Sequence, residues 1–240
     1  MNGRSGIGAE ENTRSATILV ADDHPLMRGA FVSILSYGRN LEVVGEARDG
    51  KEAVLMCEEL RPDLVLMDVS MPVMDGIEAT RRLKESLPST VVLVVTAHEE
   101  EGIMLEAIRA GAAGYVLKGD DPLRLVSAVR EALSGESPMD PRLAARLLRR
   151  LAAEGRSPDG RPEPEKERAA PRRPAVSLTP RELEVLGRVV AGKTNRLIAQ
   201  ELHMSLSTVK RHLERVVSKL GVSDRTQAAV RAIELGLLPE

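Results

Sequence analysis

Four short apolar runs in this chain each stop at a group suited to handling a phosphate or a divalent cation. Thr17-Ile18-Leu19-Val20-Ala21 runs into Asp22-Asp23, and Leu64-Val65-Leu66-Met67 runs into Asp68. Val91-Val92-Leu93-Val94-Val95 stops at Thr96, and Gly114-Tyr115-Val116-Leu117 stops at Lys118. Runs rich in β-branched and large apolar side chains read as buried strands of a parallel sheet. The carboxyl ends of such strands are where open α/β folds carry their chemistry. Three carboxylates gathered there repel one another unless a cation compensates, and carboxylate oxygens with water suit Mg2+. Asp68 is then placed as a nucleophile toward a phosphoryl group, giving an aspartyl phosphate. Lys118 would neutralise one phosphoryl oxygen and the Thr96 hydroxyl would donate to another, with small Ala97 leaving room for a backbone N–H. Pro72 and Gly76 shape the loop after Asp68, and Asp75 reads as the cap of the next helix.

Bringing four such tips together requires a repeated strand–helix unit, and the sequence supplies five. Strands are expected at 17–22, 41–47, 63–68, 91–95 and 113–117, with helices near 25–37, 51–60, 76–86, 99–110 and 121–134. This pattern predicts a doubly wound α/β domain with a five-stranded parallel sheet, although strand order is not readable from one sequence. Residues 140–153 form an amphipathic helix, with Leu143, Leu147 and Leu151 on one side. That side is free to pack on the first domain or on a second copy. Residues 155–174 are almost all Pro, Gly, Arg, Glu and Ala, which cannot build a core and read as a flexible linker.

At 240 residues the chain accommodates two domains. Its formal net charge of −2 conceals a segregation. Residues 17–135 carry twelve Lys and Arg against twenty Asp and Glu, whereas 176–240 carry ten against seven. An acidic first half and a mildly basic second half point to different partners. The single Cys57 excludes an internal disulfide and reads as a small core residue. No apolar run nears the roughly 20 residues that span a bilayer, and the first 16 residues do not read as a signal peptide. A cytoplasmic protein is expected.

The second half reads as all-helical. Thr179-Pro180-Arg181-Glu182 is a capping box with Pro at the first helical position, opening a helix that Gly192 ends. A short helix over 195–202, a turn at His203-Met204-Ser205 and a longer helix over 206–220 form a helix-turn-helix candidate. Ser223 or Asp224 caps a fourth helix, expected to run to Gly236. Val209, Leu213, Val216, Val217 and Leu220 make the inward stripe of the long helix. Ser207, Thr208, Lys210, Arg211 and Arg215 are left for nucleic acid. Arg211 is the prime candidate for a guanine or phosphate contact. Lys193, Asn195 and Arg196, at the start of the short helix, would hold the DNA backbone.

The stretches Val20-Ala21-Asp22-Asp23-His24-Pro25, Leu66-Met67-Asp68-Val69-Ser70-Met71-Pro72-Val73-Met74-Asp75-Gly76, Val95-Thr96-Ala97 and Gly111–Lys118 resemble the receiver domain of bacterial two-component response regulators. The stretches Leu178–Leu186, Gly192–Ala199, Leu206–His212 and Lys219–Ala228 resemble the LuxR-type helix-turn-helix output domain. Together they mark the NarL/FixJ family. The implied architecture is a flavodoxin-like receiver over 17–135 and a helix and linker over 136–175. A four-helix DNA-binding domain follows over 176–240, and 1–16 form a disordered lead.

The resemblance implies that Asp68 accepts phosphate from a sensor histidine kinase and that Asp22, Asp23, Asp68 and the Ser70 carbonyl hold Mg2+. Thr96 and Lys118 sense the phosphate, and Tyr115 is the switch aromatic that turns inward when the threonine moves. The implied product is a homodimer on double-stranded promoter DNA, paired through the last helix, with RNA polymerase as a further candidate partner. Two residues depart from the family pattern: Arg196 stands where lysine is commoner, and Glu214 where several relatives place a basic contact. His98 could gate water at the phosphate. Two readings compete. A metal-dependent phosphatase would need an acid/base carboxylate just after the nucleophile, where position 70 is Ser. A phosphorylation-independent regulator would use its receiver only as a dimerisation or ligand module.

Overall fold

The computed structural model of the protein describes residues 14–97, 100–154 and 177–238. Five strands, β1 (Ala16–Ala21), β2 (Leu41–Ala47), β3 (Leu64–Asp68), β4 (Val91–Thr96) and β5 (Gly114–Leu117), form one parallel sheet in the order β2-β1-β3-β4-β5. The chain leaves β1 toward one edge and returns through β3 toward the other. The topological switch point therefore lies between the ends of β1 and β3, where Asp22 and Asp68 sit. All five residues of β3 are buried, because helices cover both faces of the sheet. Leu64 and Leu66 face one core with Phe31 and Leu35 of α1 (Pro25–Ser36) and with Leu125 and Val129 of α5 (Pro122–Leu133). Val65 and Met67 face the other core, built with Cys57 of α2 (Gly50–Leu60), Leu83 of α3 (Gly76–Ser86) and Ala107 of α4 (Glu101–Ala110). Each fully buried Leu or Ile contributes about 1.5–3 kcal/mol relative to exposure, so the apolar runs that announce the strands also anchor them.

Element limits follow the sequence reading closely, with small corrections. β1 starts at Ala16 rather than Thr17, the Ala16 N–H donating to the Asn40 carbonyl at 2.9 Å. Helix α4 starts at Glu101 rather than at 99. Residues 1–13 of the expected lead, His98, and the 155–174 linker lie outside the described residues.

Beyond the sheet come α6 (Pro141–Glu154), α7 (Pro180–Val190), α8 (Asn195–Glu201), α9 (Leu206–Leu220) and α10 (Arg225–Glu234). The Thr179–Glu182 capping box is formed, and Ser205 and Asp224 cap α9 and α10. Of the two surfaces open to α6, it takes the first domain and α10 together. Leu147 is fully buried and Leu148 nearly so, in a cluster that joins Met104, Leu105 and Ile108 of α4 to Val189, Leu213 and Val230 of the helical half. Polar contacts reinforce this junction. Gln227 Nε2 donates at 3.0 Å to both the Ile108 and Ala112 carbonyls, at and just past the end of α4. Thr226 Oγ1 donates to the Ala113 carbonyl at 2.8 Å. No helix among the described residues is long and apolar enough to cross a membrane.

Candidate functional site

Register places the four strand tips level. Asp68 pairs with Val95 across β3 and β4, and Thr96 pairs with Leu117 across β4 and β5. The Lys118 N–H donates to the Thr96 carbonyl at 2.8 Å, which carries the lysine back over the sheet end. Its ammonium Nζ stands 2.7 Å from Asp68 Oδ2 and 2.9 Å from Asp22 Oδ2. Asp22 is wholly buried; its Oδ1 accepts the His24 N–H at 2.8 Å, while Oδ2 faces the Lys118 ammonium. Asp23 is exposed at the rim, and one oxygen from each of Asp22, Asp23 and Asp68 lies within 4.8 Å of the others. Thr96 is buried at the tip of β4.

The electrostatics follow from that geometry. Burial pushes the Asp68 carboxyl above its ordinary value. The neighbouring Asp22 adds to the rise, and hydrogen bonds from Lys118 and the Ser70 N–H only partly offset it. Burial disfavours the charged Lys118 ammonium, yet its hydrogen bonds to Asp68 and Asp22 outweigh this and raise its pKa. One cation thus faces two buried carboxylates, with a third at the rim. A small, hard, oxygen-binding dication fits this donor set.

The loop after Asp68 turns tightly into α3. Gly76 packs so tightly that a Cβ would sit 1.9 Å from the Asp68 carbonyl oxygen, so only glycine allows α3 to start there. Asp75 caps α3 by accepting the Glu78 N–H at 2.8 Å, as its position in the sequence predicts. Arg28, which sequence reasoning missed, donates to the Asp22 carbonyl at 2.7 Å and pairs with Glu46 at 3.2 Å, pinning the acidic turn. Its place one turn into α1 gave no distinguishing signal.

The residues expected to touch DNA are not equally presented. Arg196, Arg211 and Arg215 are exposed and carry no ion pair among the described residues. Ser207 and Thr208 share the Ser205 hydroxyl at the start of α9, at 2.9 and 2.7 Å. Lys193 pairs with Glu201. Asn195, expected on the DNA face, is only 3% exposed here; its Oδ1 accepts from buried Arg225 at 3.0 Å. Lys210 Nζ lies 3.3 Å from Glu136. Tyr115 is half-buried, packed against both the sheet core and the cluster joining the two halves. It also lines a cavity of about 600 Å³ between them.

An acidic pocket with a facing lysine on a doubly wound sheet, coupled to a helix-turn-helix, defines a class of switch proteins. Residues 18–130 match the response regulator receiver domain, and residues 176–232 match the bacterial regulatory proteins of the luxR family. The transcriptional regulatory protein LiaR of Bacillus subtilis is 40% identical over 215 residues, spanning 90% of this chain and 95% of LiaR. A solved LuxR-family two-component response regulator from Aurantimonas is 36% identical with a TM-score of 0.53, over 57% of this chain and 97% of its own. The RcsB response regulator of Salmonella typhimurium is 25% identical with a TM-score of 0.51, over 94% of this chain and 99% of its own. The chain belongs to the response regulators of two-component systems that carry a LuxR-type DNA-binding domain, and is a transcriptional regulator.

Proposed function

We propose that Asp68 is the phosphoacceptor, that Asp22, Asp23, Asp68 and the Ser70 carbonyl hold Mg2+, and that the phosphorylated protein binds promoter DNA as a homodimer. The observation that carries this reading is the placement of Lys118 Nζ 2.7 Å from Asp68 and 2.9 Å from Asp22, at the sheet's switch point. An Asp68 carboxylate oxygen attacks the phosphorus of a phosphohistidine on the kinase. The P–O bond forms as the P–N bond breaks, and the leaving imidazole keeps the bond electrons and takes a proton from water. When bound, Mg2+ supplies charge neutralisation between the carboxylates and the incoming phosphoryl oxygens. Lys118 shifts toward the new phosphoryl group and Thr96 donates its hydroxyl to it. Ser70 provides no acid/base carboxylate beside the nucleophile, which disfavours turnover and leaves a stored signal.

The kinase must reach Asp68 from the mouth of the pocket, where exposed Leu26, Val73 and Leu123 offer apolar anchors around the acidic rim. On the output side Lys193, Asn195, Arg196, Ser207, Thr208, Lys210, Arg211 and Arg215 would line the DNA. Helix α10 would pair the two copies, and RNA polymerase is a further partner of the DNA-bound form in the cytoplasm. In the arrangement described here α10 is engaged with α4 and α6, so pairing through α10 requires the halves to part. Movement of Thr96 and Tyr115 on phosphorylation would bias that parting. The test is labelling by acetyl phosphate with Mg2+, read by intact-protein mass. The wild type should gain one phosphoryl group and Asp68→Asn none; a label that survives this substitution would sink the assignment.

A further inference from the structure

We infer that Glu136 is an internal surrogate for a DNA phosphate, holding the output domain's own DNA-contact groups against the receiver until the halves part. This inference rests on the proposed DNA roles of Lys210 and Asn195. Glu136 follows α5 on a rigid post. Its N–H donates to the Glu131 carbonyl at 2.8 Å and the Gly135 N–H to the Ala132 carbonyl at 3.0 Å, with Gly135 at φ 73°. That is a helix-ending motif in which the left-handed glycine fixes the direction of the next residue. The Glu136 carboxylate points across the domain boundary, where its Oε1 meets Lys210 Nζ at 3.3 Å and Asn195 Nδ2 at 3.4 Å. The buried Arg225 guanidinium orients Asn195 through its Oδ1 at 3.0 Å, and donates to the Lys193 carbonyl at 2.7 Å.

One anionic oxygen faced by an ammonium and an amide N–H is the donor arrangement that grips a phosphate oxygen on a nucleic-acid backbone. Asn195, at 3% exposed, cannot reach a DNA phosphate in this arrangement, and Lys210 has to leave Glu136 to turn its ammonium fully to one. The contact is also built to release. Lys210 and Glu136 side chains are 38% and 33% exposed, so their attraction is weak and screened by salt. A weak latch lowers apparent DNA affinity only by the fraction of molecules it keeps closed, which is what a reversible switch needs.

The test uses the full-length protein, with and without acetyl phosphate, on a short duplex at fixed low salt. Unphosphorylated Glu136→Gln should bind about threefold to tenfold tighter than wild type, as expected for losing one half-exposed ion pair and its hydrogen bond. Glu136→Asp keeps the charge but shortens the reach, and should show at least half of that gain on a logarithmic scale. After phosphorylation the three proteins should bind alike. Without DNA, amides 108–113, which α10 covers, should exchange faster in Glu136→Gln. The inference is overturned if Glu136→Asp binds like wild type, since the glutamate would then act only by repelling DNA. Where intact-protein mass shows full labelling, equal gains in both phosphorylation states overturn it as well, and so does unchanged exchange in the unlabelled protein. The unphosphorylated comparison does not depend on Asp68 accepting phosphate, so its failure and a failure of labelling are separable.

Discussion

The carboxylate pocket and the DNA-facing surface are both assembled from groups on separate elements, but only the first is finished. In the pocket, Asp22, Asp68, Thr96 and Lys118 are buried or nearly so and set in place by the strand register. On the output domain, the exposed arginines stand ready while Lys193, Asn195 and Lys210 are engaged within the chain, the last two by contacts that cross the domain boundary. A site fixed by a sheet can be preorganised and wait for substrate. A site whose members hold a second set of partners can be regulated, because its availability is an equilibrium.

The pocket's preorganisation is held by a single cation, and removing it should have the largest effect of any change here. Lys118→Ala leaves Asp22 and Asp68 buried with no counter-charge, and breaking such a pair typically costs about 3 kcal/mol or more. In metal-free buffer the variant's receiver should unfold at markedly lower urea than wild type. Saturating Mg2+ should restore much of the difference, because it binds only the folded carboxylate cluster. A variant as stable as wild type without metal would mean the carboxylates are not held as described.

The pocket was legible in the sequence because burial writes it there. Runs such as Leu64–Met67, short and bounded by turn residues, read as strands covered on both faces, and a charged residue at such a run's end falls at a sheet tip. Strand order was not legible, since which strands pair across a parallel sheet is decided by crossovers that no local pattern encodes. The output domain's elements were equally plain: Thr179 caps its helix as expected, Asp224 rather than Ser223 caps the last one, and Ser205, expected only in the turn, caps the long helix. What escaped was everything decided between the halves. Asn195 looks like a surface polar residue until Arg225 is folded over it, and Glu136 looks like one more acid after a helix. Gln227 and Thr226 lie in a helix start whose expected role was pairing copies; their bonds to Ala112 and Ala113 depend on a docking that no local pattern encodes.

A substitution pair on α9 sharpens the contrast on the output side. Arg211→Ala should weaken duplex binding about tenfold in both phosphorylation states, and lower the salt dependence by about one unit if the contact is to phosphate. Lys210→Ala removes a proposed DNA contact but also releases Glu136. Its loss should therefore be full after phosphorylation and smaller before it, when release of the latch offsets part of the damage. Equal losses for Lys210→Ala in the two states would show that Lys210 is not shared between the two partners.

The smallest expected effect has the opposite sign from what a functional residue suggests. Burial raises the Asp68 carboxyl above its ordinary 3.8, so the folded protein binds this proton more tightly than the unfolded chain does. Between the ordinary and the raised value, stability falls as pH rises, and above that window the ionised Asp68 is a net burden on the metal-free fold. Asp68→Asn keeps the shape and discards the charge, while Lys118 retains Asp22 as its partner at 2.9 Å. At neutral pH without metal, Asp68→Asn should unfold at a slightly higher temperature than wild type, and the two should converge as pH drops below 3.8. Adding Mg2+ should reverse the order, raising the wild type and leaving the variant nearly unmoved. A variant less stable than wild type in metal-free neutral buffer would mean that Lys118 alone balances both carboxylates, and that the pocket has no standing need for a second cation.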